Sequence, residues 1–315
     1  MTTKATLEKH RKGLQYRSLP QTIRDAIDMT REIGLEYLWV DALCIVQDDN
    51  NDWKQEAKKM GQIYERAYLT IAATASNDVS IGCFPSRKSR VMVSLPCDSS
   101  DARKGIFFLA APRVEPFTEL DHAPLNSRGW VLQERMLSNR IIHFAKNQVY
   151  WQCSQQFVAE DGSIAYWKDH SPHRHSLSRT MATWAGRPVP HMDSIVERAI
   201  VQGYYREHLD QKIWHTWNQV LRFYSRCRLT FPSDKLPALL GMATEMEEVA
   251  ELQYVEGHWY DHSHPDSFLT SLLWYAADPG GLVQPAQSRA SSWSWASMDA
   301  CPRIPASAFP DKYCL

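Results

Sequence analysis

The sequence has no apolar run approaching the roughly 20 residues needed to cross a bilayer. It also has almost no net charge, with 35 basic and 36 acidic residues in 315 and a formal charge of −1. The first absence leaves a cytoplasmic chain with no membrane partner as the expectation. The second speaks against a nucleic-acid binder held by phosphate contacts. There is no glycine-rich phosphate loop, no Gly-x-Ser-x-Gly elbow and no His-Glu-x-x-His, so the commonest signatures of nucleotide, acyl-transfer and zinc-protease chemistry are missing. No Cys-x-x-Cys occurs, and the seven cysteines are odd in number and scattered, the pattern of reduced thiols rather than of a disulfide framework. Met1 to Ser18 is polar and basic, without the apolar stretch of a secretion signal. Lys312 stands where a prenylation box would need cysteine.

What is abundant is aromatic: 12 tryptophans and 13 tyrosines point to a packed core rather than a disordered chain. The length allows about two domains, or one with an appendage. The first third alternates helix and strand. Ser18-Leu19-Pro20-Gln21 reads as a capping box, Ile23, Ile27 and Ile33 follow at near-helical spacing, and Gly34 sits where a helix C-cap belongs. Tyr37 to Val46 is a nearly continuous apolar run and reads as a strand buried on both faces. Asp52-Trp53-Lys54-Gln55 opens a second helix to about Arg66, and Tyr68 to Ala75 reads as another strand. Strand, helix, strand predicts a parallel, right-handed βαβ unit. Arg128 to Leu137 reads as a short helix. Arg140 to Ala145 and Gln148 to Cys153 flank Lys146-Asn147 as a hairpin. Asp193 to Ala250 reads as mostly helical, Asp266 to Ala277 as a last helix and Ala290 to Ser297 as a strand.

Candidate chemistry concentrates in two places. At 100° per residue, Ala57, Met60, Ile63, Tyr64 and Ala67 share an arc with Trp53, and one charge, Glu56, falls at about −60° among them. A carboxylate buried at the helix start, facing the end of a strand, is either a structural ion pair or a reactive group. Asp41 is a charge inside the Tyr37 to Val46 run and needs a partner such as Arg128 or Arg135. Cys44 lies near the end of the same run, a small core residue or a nucleophile. Arg128-Gly129-Trp130-Val131-Leu132-Gln133-Glu134-Arg135 sets polar groups around apolar ones, as a solvated face, a buried network or a pocket wall. His170, His173 and His175 form one histidine group; His258, His262 and His264 form another, with Asp261 and Asp266 near. Neither meets a metal-ligand signature, so ordinary histidines and no metal are expected.

Leu19-Pro20-Gln21-Thr22-Ile23-Arg24-Asp25-Ala26-Ile27, then Tyr37-Leu38-Trp39-Val40-Asp41-Ala42-Leu43-Cys44-Ile45-Val46-Gln47-Asp48, then Asp52-Trp53, Glu56, Met60, Ile63-Tyr64, Ala67 and Leu69-Thr70-Ile71-Ala72-Ala73 resemble the fungal heterokaryon-incompatibility (HET) domain. Arg128-Gly129-Trp130, Gln133-Glu134-Arg135 and Tyr150-Trp151-Gln152-Cys153 resemble its second block. Asp234-Lys235-Leu236-Pro237-Ala238-Leu239, Leu273-Trp274 and Ser292-Trp293-Ser294-Trp295-Ala296-Ser297 resemble the C-terminal extension of these proteins. The resemblance implies an α/β fold with a flavodoxin/TIR-like parallel sheet core, an added hairpin and a mostly helical C-terminal region. It implies a role in non-self recognition and regulated cell death, through self-association or through other proteins of that pathway. Some TIR domains cleave NAD with a glutamate on a helix beginning Trp-Cys-x-x-Glu; Trp53-Lys54-Gln55-Glu56 matches its tryptophan and glutamate. The expected catalytic residues are therefore Glu56, Asp41 and Glu134. Cys44, Gln47, Trp53, Arg128, Trp130, Gln133 and Arg135 are expected to bind substrate, either NAD or a small molecule of secondary metabolism. Family members usually open on a strand like Leu-Ser-Tyr-x-Trp-Gly; this sequence begins after it, so a shortened domain with an altered pocket is expected. The expected organisation is an α/β domain over residues 1–160, a His/Ser/Pro-rich loop over 161–192 and a helical extension over 193–315.

Overall fold

The computed structural model describes residues 1–87, 92–98, 104–110, 116–153, 156–162, 164–165, 217–218, 220–250 and 252–304. The His170 group and most of the expected loop lie outside these residues.

The fold is mixed α/β. Helix α1 (Leu7–Lys12) is followed by α2 (Gln21–Glu32), which buries Ile23, Ala26 and Thr30. Asp25 is buried on the same face because it has partners there: it accepts from the Cys83 N–H at 2.8 Å and from Gln21 Nε2 at 2.5 Å. Gly34 ends α2 at φ +75°, a backbone state that glycine enters freely. Helix α4 (Asn50–Arg66) is capped by Asp49, whose carboxylate accepts from the N–H groups of Asn51 and Asp52. The sequence pointed to Asp52 instead; that carboxylate is already engaged by the Val46 N–H at 2.7 Å.

Tyr37 to Val46 is not a strand. Asp41 opens a single helical turn, α3 (Asp41–Cys44), with Val40 and Ile45 extended on either side. The Asp41 carboxylate accepts from the Ala42 N–H at 2.7 Å, and the Val40 carbonyl accepts from Leu43 and Cys44. These local bonds compete with a ladder. Tyr37 is 87 % exposed, and Asp41 is exposed rather than buried. Trp39, Leu43, Tyr64 and Ile71, all expected in the core, are half-buried; Met60 is buried.

The sheet has the order β1-β4-β5-β6-β7. Strand β1 (Thr70–Ala72) pairs in parallel with β4 (Arg140–Phe144), Thr70 opposite Ile141. The expected parallel partner from 37–46 is thus replaced by a strand of the hairpin. That hairpin, β4 with β5 (Val149–Cys153), forms where alternation placed it and continues antiparallel into β6 (Phe157–Ala159) and β7 (Ile164–Ala165). A separate ribbon joins β2 (Met92–Asp98) to β3 (Lys104–Ala110). Helix α5 (Pro116–Asp121) leads to α6 (Gly129–Leu137), which contacts both α4 and α7 (Pro237–Ala250).

The largest core joins Met136 and Leu137 of α6 to Trp217, Leu221, Leu239, Met242, Met246, Trp259 and Trp295. Of the C-terminal region, residues 193–216 lie outside the described residues, and the rest adds several short elements to α7. It contains the hairpin β8 (Gln253–Val255) and β9 (His258–Tyr260), the short helix α8 (Pro265–Ser271), and β10 (Tyr275–Ala276) paired with β11 (Pro302–Arg303). Residues 290–297 form turns, not a strand, because Ser294 caps the turn Trp295–Ser297 and donates its hydroxyl to the Glu256 carbonyl at 2.6 Å.

Candidate functional site

Three elements meet at one cluster. Tyr64 projects from the last turns of α4, Glu134 from α6, Arg128 from the residue that precedes α6, and Asp41 from α3. The Tyr64 phenol and the Glu134 carboxyl interact, each shifting the titration of the other. Burial pushes the Glu134 carboxyl up to about 7; the Arg128 charge pulls it down, Asp41 pushes it up and the Tyr64 phenol pulls it down. Burial, then the charges of Glu134 and Asp41, holds Tyr64 well above the ordinary phenol range. Trp39 packs edge-on against Tyr64 with ring centres 5.8 Å apart. The arrangement is a carboxyl poised near neutrality beside a proton-bearing phenol, with an exposed cation and anion at its mouth. Such a group exchanges protons readily at physiological pH.

Of the expected site residues, Asp41, Arg128 and Glu134 are brought together. Glu56 is not part of the group. It lies on the first half of α4, its side chain 21 % exposed, and pairs with Lys59 one turn along at 2.6 Å. Cys44 is exposed, its sulfur accepting from the Val40 N–H at 3.5 Å. Gln47 donates to the carbonyls of Asp41 and Ile45, each at 3.1 Å, and so braces α3.

The remaining expected residues knit α6 to its neighbours. Trp53 and Trp130 stack edge to face with centres 6.0 Å apart, and Trp130 donates its indole N–H to Asp234 at 3.0 Å. Gln133 is fully buried; its Oε1 accepts the Gly241 N–H at 2.7 Å, while its Nε2 has no hydrogen-bond partner among the described residues. Arg135 is buried, 4.0 Å from Asp121, and burial lowers its guanidinium to about 10. Beside it, burial and then the Arg135 charge hold His143 down at about 3. The neutral ring donates from Nε2 to Gln152 Oε1 at 3.0 Å, and Nδ1 faces the Thr74 hydroxyl at 3.2 Å.

Sequence reasoning missed Tyr64 as a site residue, reading it as core, and missed Asp234 as the partner of Trp130. For Tyr64 the available signal was its place on the buried arc of a helix, which also fits a purely apolar role. The histidines at 258, 262 and 264 do not converge. His258 is buried against Ser271 at 3.1 Å, His264 pairs with Asp261 at 2.9 Å, and His262 packs on Tyr260. Among the described residues no group of three or more His, Cys, Asp or Glu is placed to hold a metal ion, and no helix is long and apolar enough to cross a membrane.

No curated protein and no solved structure matches the chain. Residues 1–134 match the family model described as heterokaryon incompatibility protein (HET). The matched stretch contains Asp41, Tyr64, Arg128 and Glu134, and ends inside α6 at Glu134 itself. Residues 1–134 therefore carry a heterokaryon-incompatibility (HET) domain.

Proposed function

We propose that this chain acts in fungal heterokaryon incompatibility as a cytoplasmic effector or interaction module of non-self recognition and regulated cell death. It would work through self-association or through other proteins of that pathway. The supporting observation is the state of Glu56. A glutamate that cleaves NAD in the TIR manner has to face its substrate; here the Glu56 carboxylate is held by Lys59 of its own helix. What α4 and α6 present instead is a set of interlocked contacts, Trp53 on Trp130 and Gln133 on Gly241, which suits a module read by shape.

The test is induced expression of the full chain in a filamentous fungus, scored for growth arrest and death. The effector reading expects arrest that persists in Glu56→Gln and is weakened by Gln133→Ala. Normal growth under strong expression would sink it.

One observation favours a second reading, an acid–base enzyme acting on a small molecule, with NAD as one substrate to try. Glu134 sits near neutrality beside Tyr64 and Arg128, the setting of a general acid or base. Purified protein incubated with NAD and assayed for nicotinamide tests the narrow form. Release that falls by about 100-fold or more in Glu134→Gln supports it; equal release in the variant refutes it.

A further inference from the structure

A cavity of about 300 Å³ lies between the N-terminal segment, α1, the start of α2 and the α3 residues that follow Asp41. Its apolar wall is built from Leu14, Leu19, Ile23, Leu43 and Val79. Its polar lining includes Lys9 and His10, and none of the lining residues is acidic. A volume of this size stands at the lower end for small-molecule sites.

The wall is a built structure. Thr2 is 2 % exposed and pairs in parallel with Val46; its N–H donates to the Ala42 carbonyl at 2.8 Å, and its carbonyl accepts from the Gln47 N–H at 2.9 Å. The Thr2 hydroxyl donates its one proton to the Leu43 carbonyl at 2.7 Å. The contact between Thr2 Oγ1 and His10 Nδ1 at 2.9 Å must then run the other way, with His10 Nδ1–H donating. This assigns the tautomer of His10 and leaves Nε2 without a hydrogen-bond partner among the described residues.

The nearby carboxylates are already engaged. Glu8 pairs with Arg11 at 2.9 Å, Asp49 with Lys4 at 3.2 Å, and Asp48 accepts from the Lys4 N–H at 2.7 Å. Lys9 has no ion-pair partner among the described residues. An apolar hollow lined by Met1, by a lysine without a carboxylate partner among the described residues and by an oriented imidazole has the makings of a site for an anion with an apolar body.

We infer that this cavity binds a small organic carboxylate, its hydrocarbon part against Leu14, Ile23 and Leu43 and its carboxylate at Lys9 and His10 Nε2. The single proton between His10 and the ligand serves either way: on Nε2 it is donated to a carboxylate, and on the ligand it is donated to Nε2. The site is independent of the effector reading, because none of its residues belongs to the Tyr64–Glu134 cluster.

The probe is 1-naphthoate, titrated into the full chain by isothermal calorimetry, with 1-naphthylmethanol as the uncharged counterpart of similar shape. The expected result is saturable binding of 1-naphthoate at one site with Kd below about 1 mM. Binding should weaken about tenfold in Lys9→Ala, whose side chain is exposed and whose loss leaves the fold intact, and at least as much in His10→Ala. Ala42→Phe, which fills the hollow, should abolish it; a thermal melt shows whether that variant folds, and Lys9→Ala decides the matter if it does not. Absence of saturable binding overturns the proposal. So does 1-naphthoate binding unchanged in Lys9→Ala, or equal affinity for 1-naphthylmethanol.

Discussion

Gly61 of α4 faces Gly241 of α7 so closely that a Cβ on Gly61 would stand 2.9 Å from the Gly241 Cα. The two helices touch backbone to backbone at this point, and Gln133 of α6 closes the contact by accepting the Gly241 N–H. Helix α4 belongs to the HET match and α7 does not, so one pair of glycines joins the family domain to the rest of the chain. Gly61→Ala adds a methyl where neither backbone can yield. Against the gain of about 0.5–1 kcal/mol that alanine brings to a helix interior, overpacking costs about 1–3 kcal/mol. The expected net effect is destabilisation, with Gly241→Ala worse because its Cβ would also meet Gln133 Oε1 at 2.7 Å. Urea unfolding of the two variants measures this; a midpoint at or above wild type would show that the helices separate at little cost.

Gln133→Leu is expected to cost about 1–3 kcal/mol. It keeps much of the volume but leaves the half-buried Gly241 N–H without its side-chain acceptor, and an unmet donor carries most of the penalty. The Nε2 of Gln133 has no partner among the described residues, which trims the loss. Thermal melts of Gln133→Leu beside Gly241→Ala would also show strong non-additivity in the double variant, since the two side chains share one contact.

Glu134 gives the protein a pH dependence of unusual sign. Its folded value, about 7, lies above the ordinary 4.5, so the native state holds a proton that the unfolded chain releases. The stabilising contribution is full below pH 4.5 and disappears as pH rises through 7. The shift corresponds to at most ~3 kcal/mol, less whatever solvent at the mouth of the cluster screens. Subtracting the stability of Glu134→Gln from wild type at pH 5 and at pH 8 should expose this slope. Asp41→Asn should flatten it by lowering the Glu134 value, and Arg128→Gln should steepen it.

His143 and His258 act in the opposite direction. Burial lowers them to about 3 and about 4 from 6.5, so the unfolded chain takes up protons in acid before the native state does. Their contribution is present above pH 6.5 and is lost as pH falls through the folded values. Ring-proton NMR should show neither histidine titrating between pH 8 and pH 5. A titration step for either near 6.5 would mean that its ring reaches water.

Gly257 is the clearest case of a residue with no substitute. Its φ is +96°, and a Cβ there would fall inside the Trp295 indole. Its carbonyl accepts the indole N–H groups of both Trp217 and Trp295, each at 2.9 Å. Gly257→Ala combines backbone strain with displacement of a buried tryptophan, and a loss above about 3 kcal/mol is expected. Tryptophan fluorescence during unfolding would report it, and a wild-type midpoint would contradict it.

How much of this was legible in the sequence depended on how local the cause was. The β4–β5 hairpin is specified by alternation and a two-residue polar break at Lys146-Asn147, and Gly34 ends α2 for its own conformational reasons. The run Tyr37 to Val46 misled because apolar composition fits a strand and a half-buried coil equally, and what decides between them is a ladder partner. That partner, β4, went to Thr70–Ala72 instead. The cap of α4 was placed one turn late because Asp49 and Asp52 are both competent caps, and only the fold brings Val46 to Asp52. In the site, charges were readable as anomalies, so Asp41, Arg128 and Glu134 stood out. Tyr64 did not, since a phenol on an apolar helix face carries no mark of its hydroxyl until Glu134 is placed against it.

The parallel pairing of β1 with β4 sets the order in which the molecule can be completed during synthesis. The HET match ends at Glu134, yet the neighbour of β1 begins at Arg140. A chain leaving the ribosome N-terminus first therefore carries β1 with both edges open until the whole of α6 and the following strand have emerged. The glycine contact of α4 waits longer, until α7 is made. Throughout that interval the residues matched by the family are present but their sheet is not, and β1 is a strand still open to pairing with another chain.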